Sequence, residues 1–162
     1  MTLQAGSPRK FLVIADGSAE FAAALRFACR RAHSTGGSVA VLRVLSPAVF
    51  EHWSGVRGEI ERQAREEALE ELEAMAPLVR AETGRDPEFL LLQAEDTRAA
   101  LRRAISEDRD IKILVLAAAT GGRGPGPLVA SIAREGVRWG GRNLPVTVVP
   151  GDLSDAEIDD LA

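Results

Sequence analysis

The sequence predicts a doubly wound α/β domain, a single parallel sheet of five strands with helices on both faces. Three observations carry this. Short continuous apolar runs alternate with longer segments of 3.6-residue periodicity, five of the first and four of the second. Such alternation means parallel strands joined by helical crossovers. The chain has 162 residues, 46% hydrophobic and 27% charged, which suits one domain with a substantial core and rules out wholesale disorder. There is no repeat of about 20–50 residues and no internal linker. One domain is therefore expected over residues 10–150, with an N-terminal tail at 1–9 and an acidic C-terminal tail at 151–162.

The elements follow in order. Residues 11–15 (FLVIA) form a short apolar run, as a strand buried on both faces should. Asp16-Gly17-Ser18 punctuates, and Ser18 is a good N-cap for a helix over about residues 19–33. Phe21, Leu25, Ala28 and Ala32 lie on its apolar stripe, and Gly36-Gly37 stops it. Residues 38–45 (SVAVLRVL) are the second strand, and 46–58 an irregular connection. The longest helical pattern covers 59–83, with Ile60, Ala64, Ala68, Leu72, Met75 and Val79 on one stripe. Pro77 should kink or split it, because proline removes a backbone bond and clashes with the preceding turn. Residues 89–93 are the third strand, and Asp96 or Thr97 caps a helix reaching about residue 107. Residues 111–117 are the fourth strand. A glycine- and proline-rich loop at 120–127 leads into a helix over about 127–138, with Pro127 in its first turn. Residues 144–149 are the fifth strand, bracketed by Pro145 and Pro150.

Several kinds of chemistry are excluded. A net charge of −4 argues against a nucleic-acid-wrapping protein, and Trp53 and Trp139 are too isolated to stack bases. No apolar run approaches the ~18 residues of a membrane span, and the N-terminus lacks the apolar core of a signal peptide. Cys29 is the lone cysteine, so neither an intrachain disulfide nor a cysteine zinc site is available, and a cytoplasmic location is expected. His33 and His52 have no metal-like neighbours at ligand spacing and read as capping or solvated, so no metal is expected. Cys29 reads as core packing. P-loop, Gly-x-Gly-x-x-Gly and Gly-x-Ser-x-Gly patterns are missing.

Two features remain. Asp16 ends the first strand, where doubly wound sheets bind ligands; it is either a turn residue or an acceptor for a ligand. The segment 117–131 runs from a strand through a glycine-rich loop into a helix N-terminus, a geometry that suits an anion, with Arg123 adding charge.

These residues resemble the universal stress protein family over about residues 10–149. FLVIADGS at 11–18 looks like the family's opening strand and its V-D-x-S region; 41–44, 110–116 and 144–149 look like its second, fourth and fifth strands. The resemblance implies the strand order 3-2-1-4-5. Nucleotide-binding members carry Gly-x2-Gly-x9-Gly-Ser/Thr after the fourth strand. Here the pattern falls on Ala117, Thr120, Ala130 and Ser131: the spacing and the hydroxyl survive, and the three glycines do not. Glycine permits positive φ and close approach of backbone to a phosphate, which Ala and Thr oppose. Gly121, Gly122, Gly124 and Gly126 could supply a shifted cradle, and Asp16 and Val44 match the adenine-side contacts.

The leading expectation is a homodimeric stress-response protein with a degenerate nucleotide loop, acting through contacts with an unidentified protein. No cofactor, no catalytic residue, no nucleic acid and no membrane is expected. The dimer would pair Val146, Thr147, Val148 and Val149 of the last, edge strand with a two-fold mate. The alternative is a regulator that binds ATP or another adenine nucleotide between the ends of strands 1 and 4. An enzyme of the related adenine-nucleotide hydrolase fold is a third reading, and no general base or nucleophile can be assembled for it.

Overall fold

The apolar runs and periodic segments order themselves as expected in the computed structural model, which describes residues 7–47 and 57–162. The chain runs β1 (Lys10–Ile14), α1 (Phe21–Thr35), β2 (Ser38–Leu45), α2 (Arg57–Glu73), α3 (Ala76–Thr83), β3 (Glu88–Gln93) and α4 (Thr97–Glu107). It continues through β4 (Ile111–Ala118), α5 (Pro127–Glu135), β5 (Arg138–Trp139), β6 (Arg142–Asn143), β7 (Val146–Pro150) and α6 (Asp155–Leu161). The main sheet is β3-β2-β1-β4-β7, all neighbours parallel, so the expected order holds with β7 as its fifth strand. His52 and Trp53 of the second connection, and the first six residues of the N-terminal tail, lie outside the described residues.

Strand alternation divides the core. Phe11, Val13, Val39 and Val41 face α1, α2, α3 and α6, where Leu25, Ala28, Leu72, Val79 and Ile158 are buried. Leu12, Ala40, Leu42 and Leu114 face α4 and the β5–β6 hairpin, with Leu101, Ile105 and Trp139. Cys29 sits in the first cluster, and burial pushes its thiol up to about 12, so it stays protonated and unreactive.

Local differences from the expected elements have physical causes. The long helical pattern breaks before Pro77, which occupies the first turn of α3. Helix α1 starts at Phe21 with Glu20 as N-cap, because the Asp16 side chain accepts the Ser18 N–H (2.9 Å) and draws Ser18 into a turn. The fifth helix ends at Glu135, since Gly136 has φ 80°. Gly140 and Gly141, at φ 54° and 87°, then turn the β5–β6 hairpin. Arg142 in that hairpin donates to the carbonyls of Ile105 (2.6 Å) and Ile111 (2.8 Å), tying down the end of α4. The acidic tail carries α6. Ser154 and Glu157 form a capping box, Ile158 is buried, and Arg26 of α1 makes a two-pronged contact with Asp159 at 3.0 and 2.8 Å.

Candidate functional site

A cavity of about 370 Å³ opens at the carboxyl ends of β1 and β4, the place the strand order predicts. Its near wall is the β1–α1 turn. Ile14 ends the strand, Ala15 N–H bonds the Leu42 carbonyl (2.8 Å), and Gly17 takes φ 75° so that the chain can swing into α1. Asp16, Ser18, Glu20 and Phe21 all reach the cavity from here. Its far wall is the end of β4 and the start of α5. The intervening loop closes on itself: Ala119 N–H donates to the Pro125 carbonyl (3.2 Å), and Gly124 and Gly126 adopt φ 87° and 99°. Thr97, just inside the Asp96-capped start of α4, completes the polar lining.

The walls are mostly apolar, from Ile14, Phe21, Leu116, Leu128 and Val129 among others. Asp16 and Glu20 are its charged groups, and no lysine or arginine stands among the described lining residues. The Glu20 carboxylate makes no hydrogen bond or ion pair among the described residues. Its stem packs on the backbone of Gly151, which donates its N–H to the Ala118 carbonyl (2.9 Å). These walls suit an apolar body. At the far wall, Pro127 offers no N–H at the first position of α5.

Of the residues expected from the sequence, Asp16 and Ala117 line the cavity. Val44 is half-buried and packs in the cluster on the α4 side of the sheet, outside the lining. Thr120, Gly122 and Arg123 stand exposed on the loop, and Ala130 lies a turn into α5; none of them lines the cavity. The Ser131 hydroxyl accepts a bond from Arg98 Nη1 (3.0 Å), so it serves the packing of α4 on α5. Arg98 also bonds the Gly136 carbonyl (3.1 Å), pairs with Glu135 (3.0 Å) and lies 4.8 Å over the Trp139 ring. Sequence reasoning did not place Glu20, Phe21, Thr97, Leu128 or Val129 at the site: Phe21 read as a core position of the first helix, Thr97 as a possible cap, and the others drew no reading of their own. Their positions after strand ends are the signal that could have found them. Among the described residues, no group of three or more His, Cys, Asp and Glu could hold a metal.

Along the outer edge of the sheet, Val146 and Thr147 are half-buried, Val148 is 41% exposed and Val149 is buried. The Pro145 carbonyl accepts from Leu114 N–H (3.0 Å) and Gly151 N–H bonds Ala118, so these odd-numbered positions face β4. Backbone groups alternate sides along a strand, which turns those of Val146 and Val148 to the open edge.

The chain matches the model of the Universal stress protein family over residues 8–155. No curated protein matches it. Among solved structures it is similar to the universal stress protein UspA of Lactobacillus plantarum, at 15% identity and TM-score 0.71, covering 89% of this chain and 99% of that one. It is similar to a universal stress protein in complex with cAMP, at 18% identity and TM-score 0.55, covering 91% and 100%. The universal stress protein of Archaeoglobus fulgidus in complex with dAMP is 24% identical with TM-score 0.54, covering 87% and 97%.

Proposed function

The chain belongs to the universal stress protein family, and from that premise we propose that it is a cytoplasmic, homodimeric stress-response protein. It acts through protein contacts, and its crevice holds ATP weakly or not at all. No catalytic activity is part of this reading. The observation that carries it is the bare edge of β7. Val148 is exposed there, and its N–H and C=O turn away from β4. Helix α6, the segment that could have covered the edge, instead packs on α1 through Ile158 and Asp159. Edge strands with free donors are normally paired or blocked, and a two-fold contact closes one without starting a filament.

Light scattering coupled to size exclusion tests this. Wild type should run as a dimer at micromolar concentration. Val148→Pro removes an outward donor and leaves the β4 ladder intact, so it should fold and run as a monomer. A wild-type monomer, or a folded Val148→Pro dimer, would refute the interface.

A second reading, an adenine-nucleotide-binding regulator, is favoured by the position of the cavity and by the relatives in complex with cAMP and dAMP. Titration calorimetry separates the two: a low-micromolar dissociation constant for Mg-ATP would support the regulator and sink the leading reading.

A further inference from the structure

We propose that the face of α1 beneath the last helix is a docking surface for an acidic amphipathic helix of another protein, a surface that α6 occupies in the closed chain. This goes beyond the β7 edge and rests on the reading that the protein acts through protein contacts.

Two arginines mark the surface. Arg26 and Arg30 stand one turn apart on α1 and share a face. Arg26 grips Asp159 with two bonds, 3.0 and 2.8 Å, and lies 3.7 Å from Asp155. Arg30 reaches Asp159 at 3.2 Å, and Glu82 of α3 stands 3.9 Å from both guanidinium groups. The bond from Arg26 holds the Asp159 carboxyl below the usual carboxylate range. Ile158, 1% exposed, enters the core cluster that also holds Ala28 and Val149. The surface thus selects an apolar side chain with carboxylates three positions before it and one after it, on a helix.

Helix α6 fills this surface lightly. It has seven residues, and Ile158 is its single buried one. It carries Asp155, Glu157, Asp159 and Asp160 and no base. Acids suit its first turn, but Asp159 and Asp160 in its last turn oppose the dipole. A helix this short does not persist alone in water, so α6 depends on Arg26, Arg30 and the slot for Ile158. Its ion pairs are part-exposed and contribute little. The three carbons that Ile158 buries beyond an alanine shift docking by about thirtyfold. The surface is therefore open in roughly one chain in thirty, and a competing helix is weakened only by that factor. A second copy's α6 makes no contact that the tethered one lacks, and it has no tether. A longer acidic helix of a different protein adds contacts and displaces α6.

A fluorescent peptide of residues 152–162 stands in for the partner, titrated with the full chain and followed by anisotropy. Ile158→Ala releases the chain's own helix. A tethered concentration in the millimolar range, divided by the docking ratio, gives a dissociation constant on the order of 0.1 mM for that variant. Wild type should bind at least about tenfold more weakly, because α6 competes. Asp159→Lys in the peptide should weaken binding at least about tenfold, and ~0.5 M salt should weaken the unaltered peptide about threefold or more. Asp159→Lys in the full chain opens the surface from its charged side with the core untouched. It should bind the unaltered peptide as Ile158→Ala does, so the outcome does not hang on one variant's folding. The proposal is overturned if neither variant binds the peptide, if wild type binds it as well as they do, or if the Asp159→Lys peptide binds equally. A dimer that survives Val148→Pro and is lost in Ile158→Ala also overturns it, because a second copy's α6 would then hold the surface. A silent peptide leaves the β7 dimer standing, and a wild-type monomer that still shows the peptide pattern sinks only that dimer.

Discussion

Replacing Ile158 with alanine asks whether the last helix is part of the fold. Ile158 is 1% exposed and sits in the core cluster with Val149 and the buried face of α1. The change deletes three buried carbons, which at about 0.8 kcal/mol each costs about 2.4 kcal/mol before any cavity is counted. Ile→Ala changes in cores span about 2–5 kcal/mol. The low end applies here for a structural reason. Helix α6 is seven residues long, and its other ties are the half-buried Leu153 and the part-exposed ion pairs of Asp155 and Asp159 with Arg26 and of Asp159 with Arg30. A terminal helix that loses its anchor can detach, and the cost of any change in it cannot exceed the free energy of docking. We therefore expect about 2 kcal/mol for Ile158→Ala, or a melting temperature lower by about 4–8 °C for a chain of this size. Deleting residues 154–162 should cost the same within about 0.5 kcal/mol. Urea unfolding followed by far-UV circular dichroism measures both. A loss below about 0.5 kcal/mol for each variant would show that α6 adds nothing to the fold. A truncation far costlier than Ile158→Ala would show that Ile158 is not its main anchor.

Lys10 lies between Asp108 and Glu88 at the other end of the sheet. Burial alone would raise Asp108, but the bond from Lys10 and the Asp110 N–H hold it below the usual carboxylate range. A depressed acid contributes stability above its unfolded pKa of about 3.9 and loses it as pH falls through the folded value. The urea midpoint of wild type should therefore exceed that of Lys10→Met at pH 7, and the gap should shrink as pH drops below about 4; a gap that widens in acid refutes the assignment. Gly37→Ala drives a Cβ into the Arg9 carbonyl, whose bond to Ser38 N–H (2.9 Å) opens the β1–β2 ladder. It should cost about 1–3 kcal/mol in urea unfolding, and a neutral effect would mean the turn shifts freely. Arg98→Ala should cost about 2 kcal/mol, and Arg98→Lys should recover less than half, because lysine cannot reproduce the planar fork shared among Ser131, Gly136 and Glu135; full rescue by lysine in a thermal melt would count against this.

The sheet was legible because its central strands are buried on both faces, its edge strands still read as short apolar runs, and Pro77 and Asp96 act locally. The β5–β6 hairpin was harder. Gly140-Gly141 is a two-residue turn signal, but the flanking strands are two residues each, too short to show alternation. Lys10 with Asp108, and Arg142 with the carbonyls ending α4, join residues roughly 30 to 100 positions apart and leave no periodic trace.

The site was half legible for a related reason. A spacing pattern locates a loop, and it assumes that the loop follows one path. Here Ala119 bonds back to Pro125, and the positive φ that a glycine permits is spent at Gly124 and Gly126. The loop tip carrying Thr120, Gly122 and Arg123 is thereby turned out to solvent, and the first turn of α5 is brought to the cavity. The opposite wall carries Asp16, which the turn after the first strand marks in the sequence, and Glu20, which belongs to no loop pattern. The crevice is therefore built from two strand ends, and a spacing pattern drawn from one of them describes only half of its lining.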